Sequence, residues 1–100
     1  MALSKDEIVE RISAKLEAEP DPSGQADLVC KKGSLVVVAS PSELKVAFSR
    51  LKSIETGYRW IVLNRKDLFS ANPMSVGSKV GIMDPDGSIL KAADLPRKRI

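Results

Sequence analysis

The sequence predicts a small α+β domain: a mixed sheet of about five strands, an N-terminal helix and a C-terminal hairpin. Three observations lead there. An amphipathic segment opens behind a helix-capping pattern, and residues 35–63 spell strand, capped helix and strand with short connections. Two pairs of short β-rich runs, at 26–39 and 80–90, flank turn residues and read as hairpins.

The first helix is expected at its own capping box. Ser4 is placed as N-cap and Glu7 three residues on, with Leu3 positioned to staple against Ile8. Ile8, Ile12 and Leu16 then recur every fourth residue beside Val9, a narrow apolar stripe. Pro20, Pro22 and Gly24 cannot continue a helix, so it should stop near Glu19, and residues 20–25 should form a stiff connector.

Residues 26–30 and 35–39 are separated by Lys31-Lys32-Gly33-Ser34, a hairpin-sized gap containing glycine. Leu35-Val36-Val37-Val38 does not alternate, which suits a central strand covered on both faces. Ser40-Pro41-Ser42-Glu43 is a second capping box with proline at the first helical position, where its missing N–H costs nothing. Leu44, Ala47, Phe48, Leu51 and Ile54 follow helical spacing, with Lys45, Ser49 and Lys52 opposite, so a helix is expected over 42–55, ended by Thr56-Gly57.

Residues 58–63, YRWIVL, complete a βαβ segment with 35–39, whose crossover should be right-handed if its strands are parallel neighbours. One helical turn is expected around Asp67-Leu68-Phe69, closed by Pro73. Asp84-Pro85-Asp86-Gly87 has the proline and glycine of a type I turn and should join the last two strands.

One domain is expected over 1–100: an acidic helix at 1–19, the connector at 20–25, an α+β body at 26–95 and a basic tail at 96–100. The longest apolar run, 35–39, is far below the ~20 residues of a membrane span, and the opening residues lack the zones of a signal peptide. A lone cysteine cannot make an intramolecular disulfide, so the cytoplasm is the expected compartment. Charge is distributed unevenly. Residues 1–27 hold three bases and seven acids, a net −4, and residues 28–100 hold 13 bases and 6 acids, a net +7. An anionic partner would therefore be drawn to the body and repelled by the opening helix.

The chain has no histidine, which removes serine–histidine and cysteine–histidine catalysis and histidine-bound zinc from what it can do alone. Cys30 precedes two lysines that would favour its thiolate, yet it also reads as a small apolar strand residue. Asp84 and Asp86 resemble the opening of a calcium loop only until the next positions. Glycine comes fourth rather than sixth, and Leu95 stands where the closing glutamate would be. Gly77 and Gly81 lack the spacing of a phosphate loop, and Gly81 is expected at a bulge or a close backbone contact. No cofactor and no metal are expected.

Two kinds of surface remain. Lys31, Lys32, Lys45, Lys52, Arg65, Lys66, Arg97, Lys98 and Arg99 are candidate contacts to nucleic acid or another anion, with Tyr58 and Trp60 as a stacking element. Each also reads blandly, as solvated helix faces, a solubilising tail and a core tryptophan. Ile8, Ile12 and Leu16 are candidates for a groove in a protein partner, or for an edge-packed core. The expected function is a non-enzymatic binding or assembly module acting through protein–protein contact or self-association, as an accessory subunit or regulator of a larger complex. The alternative is a basic nucleic-acid-binding domain for RNA or DNA, largely without sequence specificity. No membrane partner is expected.

Overall fold

The computed structural model describes residues 3–95. Helix α1 (Lys5–Leu16) starts at the expected capping box: the Ser4 hydroxyl accepts the Glu7 N–H, and the Glu7 carboxylate accepts the Ser4 N–H. It stops at Leu16, earlier than proline placement predicts, because Glu17 turns left-handed (φ 53°). Strand β1 (Glu19–Pro20) follows, then β2 (Leu28–Cys30) and β3 (Gly33–Val38). The Ser40/Glu43 box opens a 3-10 turn at Pro41–Glu43 that runs into α2 (Leu44–Lys52), three residues short of the expected end. Strand β4 (Arg59–Leu63), a 3-10 turn at Arg65–Asp67, α3 (Leu68–Ser75), β5 (Gly81–Met83) and β6 (Ile89–Lys91) complete the chain.

The six strands lie side by side in chain order, so the sheet is mixed. Strands β3, β4 and β5 are parallel, and β1–β2, β2–β3 and β5–β6 are antiparallel. The extra strand over the expected five is β1, which takes Pro20 out of the connector and pairs it with Leu28. Proline has no N–H to give a ladder, and an outermost strand of two residues is where that omission costs least. The Asp84–Gly87 turn joins β5 to β6 as expected, with the Gly87 N–H donating to the Asp84 carbonyl.

Alternation along the parallel strands divides the core. Val36, Val38, Ile61, Leu63 and Ile82 face α2 and α3, where Leu44, Phe48, Leu51 and Ala71 meet them. Leu35, Val37, Trp60, Val62 and Met83 face α1. Every residue of 35–38 is buried, as a strand covered on both sides requires. Ile8 and Ile12 are fully buried against the second set, which corrects their assignment to a partner-binding groove. A narrow stripe suffices because the sheet offers α1 one row of large side chains, Trp60 and Met83 among them. Leu16 packs at the margin of the same cluster and is spent there too.

Trp60 is core, its indole N–H donating to the Lys32 carbonyl at 2.8 Å, so it offers no stacking surface. Gly81 marks a close contact as expected: a Cβ there would lie 2.5 Å from the Trp60 ring. Gly33 has φ 125°, and a Cβ on it would run into the Tyr58 backbone. The single turn expected near Asp67 is instead the eight-residue helix α3, with Pro73 inside it rather than closing it. Pro73 withholds an N–H from the Phe69 carbonyl one turn earlier, and both residues are exposed, where water serves a free carbonyl.

Candidate interaction surface

Helix α3, LFSANPMS, contains no charged residue, whereas six of the twelve residues of α1 are charged. Its inner side carries Leu68, Ala71 and Ser75, packed toward the sheet. Its outer side carries Phe69, Asn72 and Pro73, with Val76 at the cap, the i, i+3, i+4, i+7 positions of one helix face. Phe69 is 89% exposed and Val76 72%, with Met74 beside them at the margin of exposure. Val76 breaks the helix with an extended backbone and Gly77 follows in a left-handed one (φ 77°), so the ridge ends there. On the same layer, α2 turns Lys45, Val46, Ser49 and Lys52 outward.

The entry to α3 is held by three polar groups, Asn64, Asp67 and Asp84, whose burial nothing in the sequence announced. Asn64 is buried where β4 ends, and its side-chain oxygen accepts the Leu3 N–H (2.9 Å) while its amide donates to the Leu3 carbonyl (3.0 Å). It thus pins the chain before α1 to the end of the sheet. Asp84 is buried just beyond β5 and accepts from Arg65 Nε and from the N–H groups of Asp86 and Ser88, each at 2.9 Å. Burial by itself would raise its carboxyl, but Arg65 and the two amides outweigh it and hold Asp84 below the usual carboxylate range. Asp67, also buried, takes the Lys66 ammonium on one oxygen at 3.0 Å and leaves the other without a partner among the described residues.

Among the described residues the candidate cations stand on three separate elements. Arg65 and Lys66 each face a buried carboxylate, so their charge is largely spoken for. Lys45, Lys52, Lys31 and Lys32 are exposed and have no ion-pair partner among the described residues. Lys45 and Lys52 stand on α2, while Lys31 and Lys32 form the β2–β3 turn, next to Tyr58, whose carbonyl takes the Ser34 N–H. Arg97, Lys98 and Arg99 lie outside the described residues. Arg59 is a buried cation that nothing in its spacing announced. It donates to the Leu51 and Ser78 carbonyls, so it bridges the C-terminal end of α2 to the loop after α3, and desolvation lowers its pKa.

Where β3 runs past the end of β2, it borders a cavity of about 250 Å³ lined by Val36, Val37, Val38, Val46 and Ala47 with Lys5 and Arg50. The N–H groups on this side are taken by side chains, one within β3 and two just after it. Asp27 accepts the Val37 N–H at 2.9 Å while pairing with Arg50, and Glu43 accepts the N–H groups of Ala39 and Ser40. A strand added there would find no donor at those positions. Among the described residues no cluster of three or more His, Cys, Asp or Glu is placed to hold a metal ion, and no helix is long and apolar enough to cross a membrane. Comparison of the chain with protein-family models, curated proteins and solved structures finds no match.

Proposed function

We propose that the chain is a small non-enzymatic binding and assembly module that contacts another protein through the outer face of α3. The observation that carries this reading is Phe69, 89% exposed at the head of an uncharged helix and in line with Pro73 and Val76. Leaving a phenylalanine in water forgoes about 1.5–3 kcal/mol of burial. A largely apolar face without charge has the composition of an interface core, where charged side chains are depleted. An accessory subunit or regulator of a larger complex is the role such a module would serve, and its single cysteine, half-buried Cys30, fits a reducing cytoplasm.

A photo-crosslinking residue in place of Phe69 tests the reading in cells that express the chain. Protein adducts are expected from position 69 and none from the same residue in place of Lys15, on the opposite helical layer. Absence of adducts at 69, or equal yields at both positions, would sink the proposal.

A second reading, nucleic-acid binding, is favoured by one observation. The exposed Lys31-Lys32 turn is fixed by Trp60 and adjoins Tyr58, which is 44% exposed and available for stacking. On this reading, labelled single-stranded RNA or duplex DNA binds at ~50 mM salt and is released at ~200 mM. Anisotropy that stays flat at both would remove it.

A further inference from the structure

We infer that the cavity between the loop after α3 and the end of β6 binds a small organic phosphate monoester, held by the ammonium groups of Lys79 and Lys91. The inference stands apart from the reading above, since none of the cavity's residues lies on the outer face of α3. The cavity holds about 370 Å³, within the lower range of small-ligand pockets (~300–1,000 Å³). Lys79 lines it from the loop and Lys91 from β6, while Val80 and Ala92 give it an apolar wall.

Both lysines are held there by their surroundings. Lys91 is half-buried and donates to the Ser75 hydroxyl at 2.6 Å; Ser75 is 1% exposed and gives its own proton to the Asn72 carbonyl at 3.0 Å. That uses one of the three N–H groups of the ammonium, and the other two have no acceptor among the described residues. Lys79 has a left-handed backbone (φ 65°), which glycine adopts with less strain, so a cation stands where the backbone does not favour a side chain.

Charge around the cavity is positive. Asp94 is the one carboxylate in its lining, 73% exposed and 3.6 Å from Lys79, and Lys91 has no ion-pair partner among the described residues. Arg59 adds a third cation behind the loop. It is 4% exposed, donates to the Ser78 carbonyl at 3.2 Å and has no acidic partner among the described residues. Three cations thus stand against one exposed acid. The negative end of α3 is covered before it meets the cavity, because Ser75 Oγ occupies the Asn72 carbonyl and the Ser78 N–H and hydroxyl occupy that of Ser75.

The arrangement selects phosphate over carboxylate. A phosphate monoester carries about −1.5 to −2 charges at pH 7 and engages both ammonium groups, whereas a carboxylate is matched by one. Lysine meets phosphate as a point charge, while the planar fork that reads a carboxylate belongs to arginine, and Arg59 is turned to backbone carbonyls. The Val80 and Ala92 wall takes the organic body of the ester.

The test titrates the isotopically labelled whole chain with phenyl phosphate at pH 7 and follows its backbone amides by NMR. Those of Gly77, Lys79 and Ala92 should shift saturably, with half-saturation near ~1 mM and about 10-fold tighter than for benzoate. Methyl phenyl phosphate, a singly charged diester like the nucleic-acid backbone, should also bind about 10-fold more weakly. Lys91→Gln should weaken phenyl phosphate about 10-fold, whereas Lys45→Gln on α2 makes the same change of charge and should leave its affinity unchanged. Lys79→Gly should weaken it to a similar extent without lowering the melting temperature, which keeps the site testable where Lys91→Gln fails to fold. No saturable shift at these amides by ~20 mM, equal affinity for benzoate or the diester, or equal weakening by Lys45→Gln would overturn the site.

Discussion

Replacing Asn64 examines how α1 is fastened to the sheet. The side chain is buried and makes two hydrogen bonds to the Leu3 backbone, 61 residues away in the chain. Asn64→Ala removes both, at ~1 kcal/mol each, and should cost about 2 kcal/mol. Asn64→Asp keeps the acceptor for the Leu3 N–H but sets a carboxylate against the Leu3 carbonyl. At pH 7 the lost bond, the unpaired carbonyl and the buried charge should cost about 3 kcal/mol, or roughly 15 °C in melting temperature for a domain of this size. Protonation restores a donor. The buried carboxyl of the variant has a folded pKa above the ~4 of the unfolded chain, so its penalty grows as pH rises from the unfolded value to the folded one and is relieved below pH 4. Urea unfolding followed by Trp60 fluorescence, the chain having one tryptophan, measures each variant against wild type at pH 7 and pH 4. An Asp variant as stable as wild type at pH 7, or equally destabilised at both pH values, would refute the clasp.

Three further outcomes are expected. Ile12→Ala should cost about 3 kcal/mol, as for a fully buried isoleucine, without changing the association state; a stable variant with altered association would return the α1 stripe to an interface. Gly81→Ala should cost about 3 kcal/mol and alter the near-ultraviolet circular dichroism of Trp60, because its methyl group enters the indole ring; an unaltered spectrum and melting point would contradict the close contact. Acid should unfold the protein partly through Asp84. Its folded pKa is depressed, so the stability it contributes is present above the unfolded aspartate pKa and is lost as pH falls through the folded one, and Asp84→Asn should flatten the melting curve against pH in that window. A variant with the wild-type acid profile would remove Asp84 from the account.

What was legible in the sequence is what neighbouring residues decide between themselves. Ser4 with Glu7 and Ser40 with Glu43 cap helices through bonds three residues long, and Asp84–Gly87 makes its turn from its own backbone. Leu35–Val38 announced a two-sided strand because each of its residues is apolar. Distant pairing was hidden. Glu19–Pro20 becomes a strand only because Val29 and Leu28 lie beside it, and Arg65 loses its free charge to a carboxylate 19 residues away. Pro73 concealed α3, since proline usually ends a helix, yet here it stands where the carbonyl it leaves unpaired is open to water. The stripe of Ile8, Ile12 and Leu16 has the same spacing whether it meets a partner or its own sheet, and only the row presented by Trp60 and Met83 decides between them. The exposed ridge was hidden for a related reason: Phe69 and Val76 are apolar residues whose exposure is decided only by the orientation of α3.

The chain-order arrangement of the strands bears on how the molecule assembles itself. Each strand finds its neighbour in the next stretch of chain, so the sheet can be laid down in one direction, across turns and loops at its antiparallel pairs and across one helix each at β3–β4 and β4–β5. A chain emerging from the ribosome amino end first could add strands as they appear, without holding an early one open for a late partner. The exceptions join α1 to the sheet: Leu3 waits for Asn64, and Arg11 waits for Asp86. One layer of the protein is therefore sealed only when most of the chain has been made, and Leu35, Val37 and Val62 stay uncovered on that side until α1 swings into place. That interval is when the nascent molecule exposes the most β-branched surface and is most open to capture by another chain.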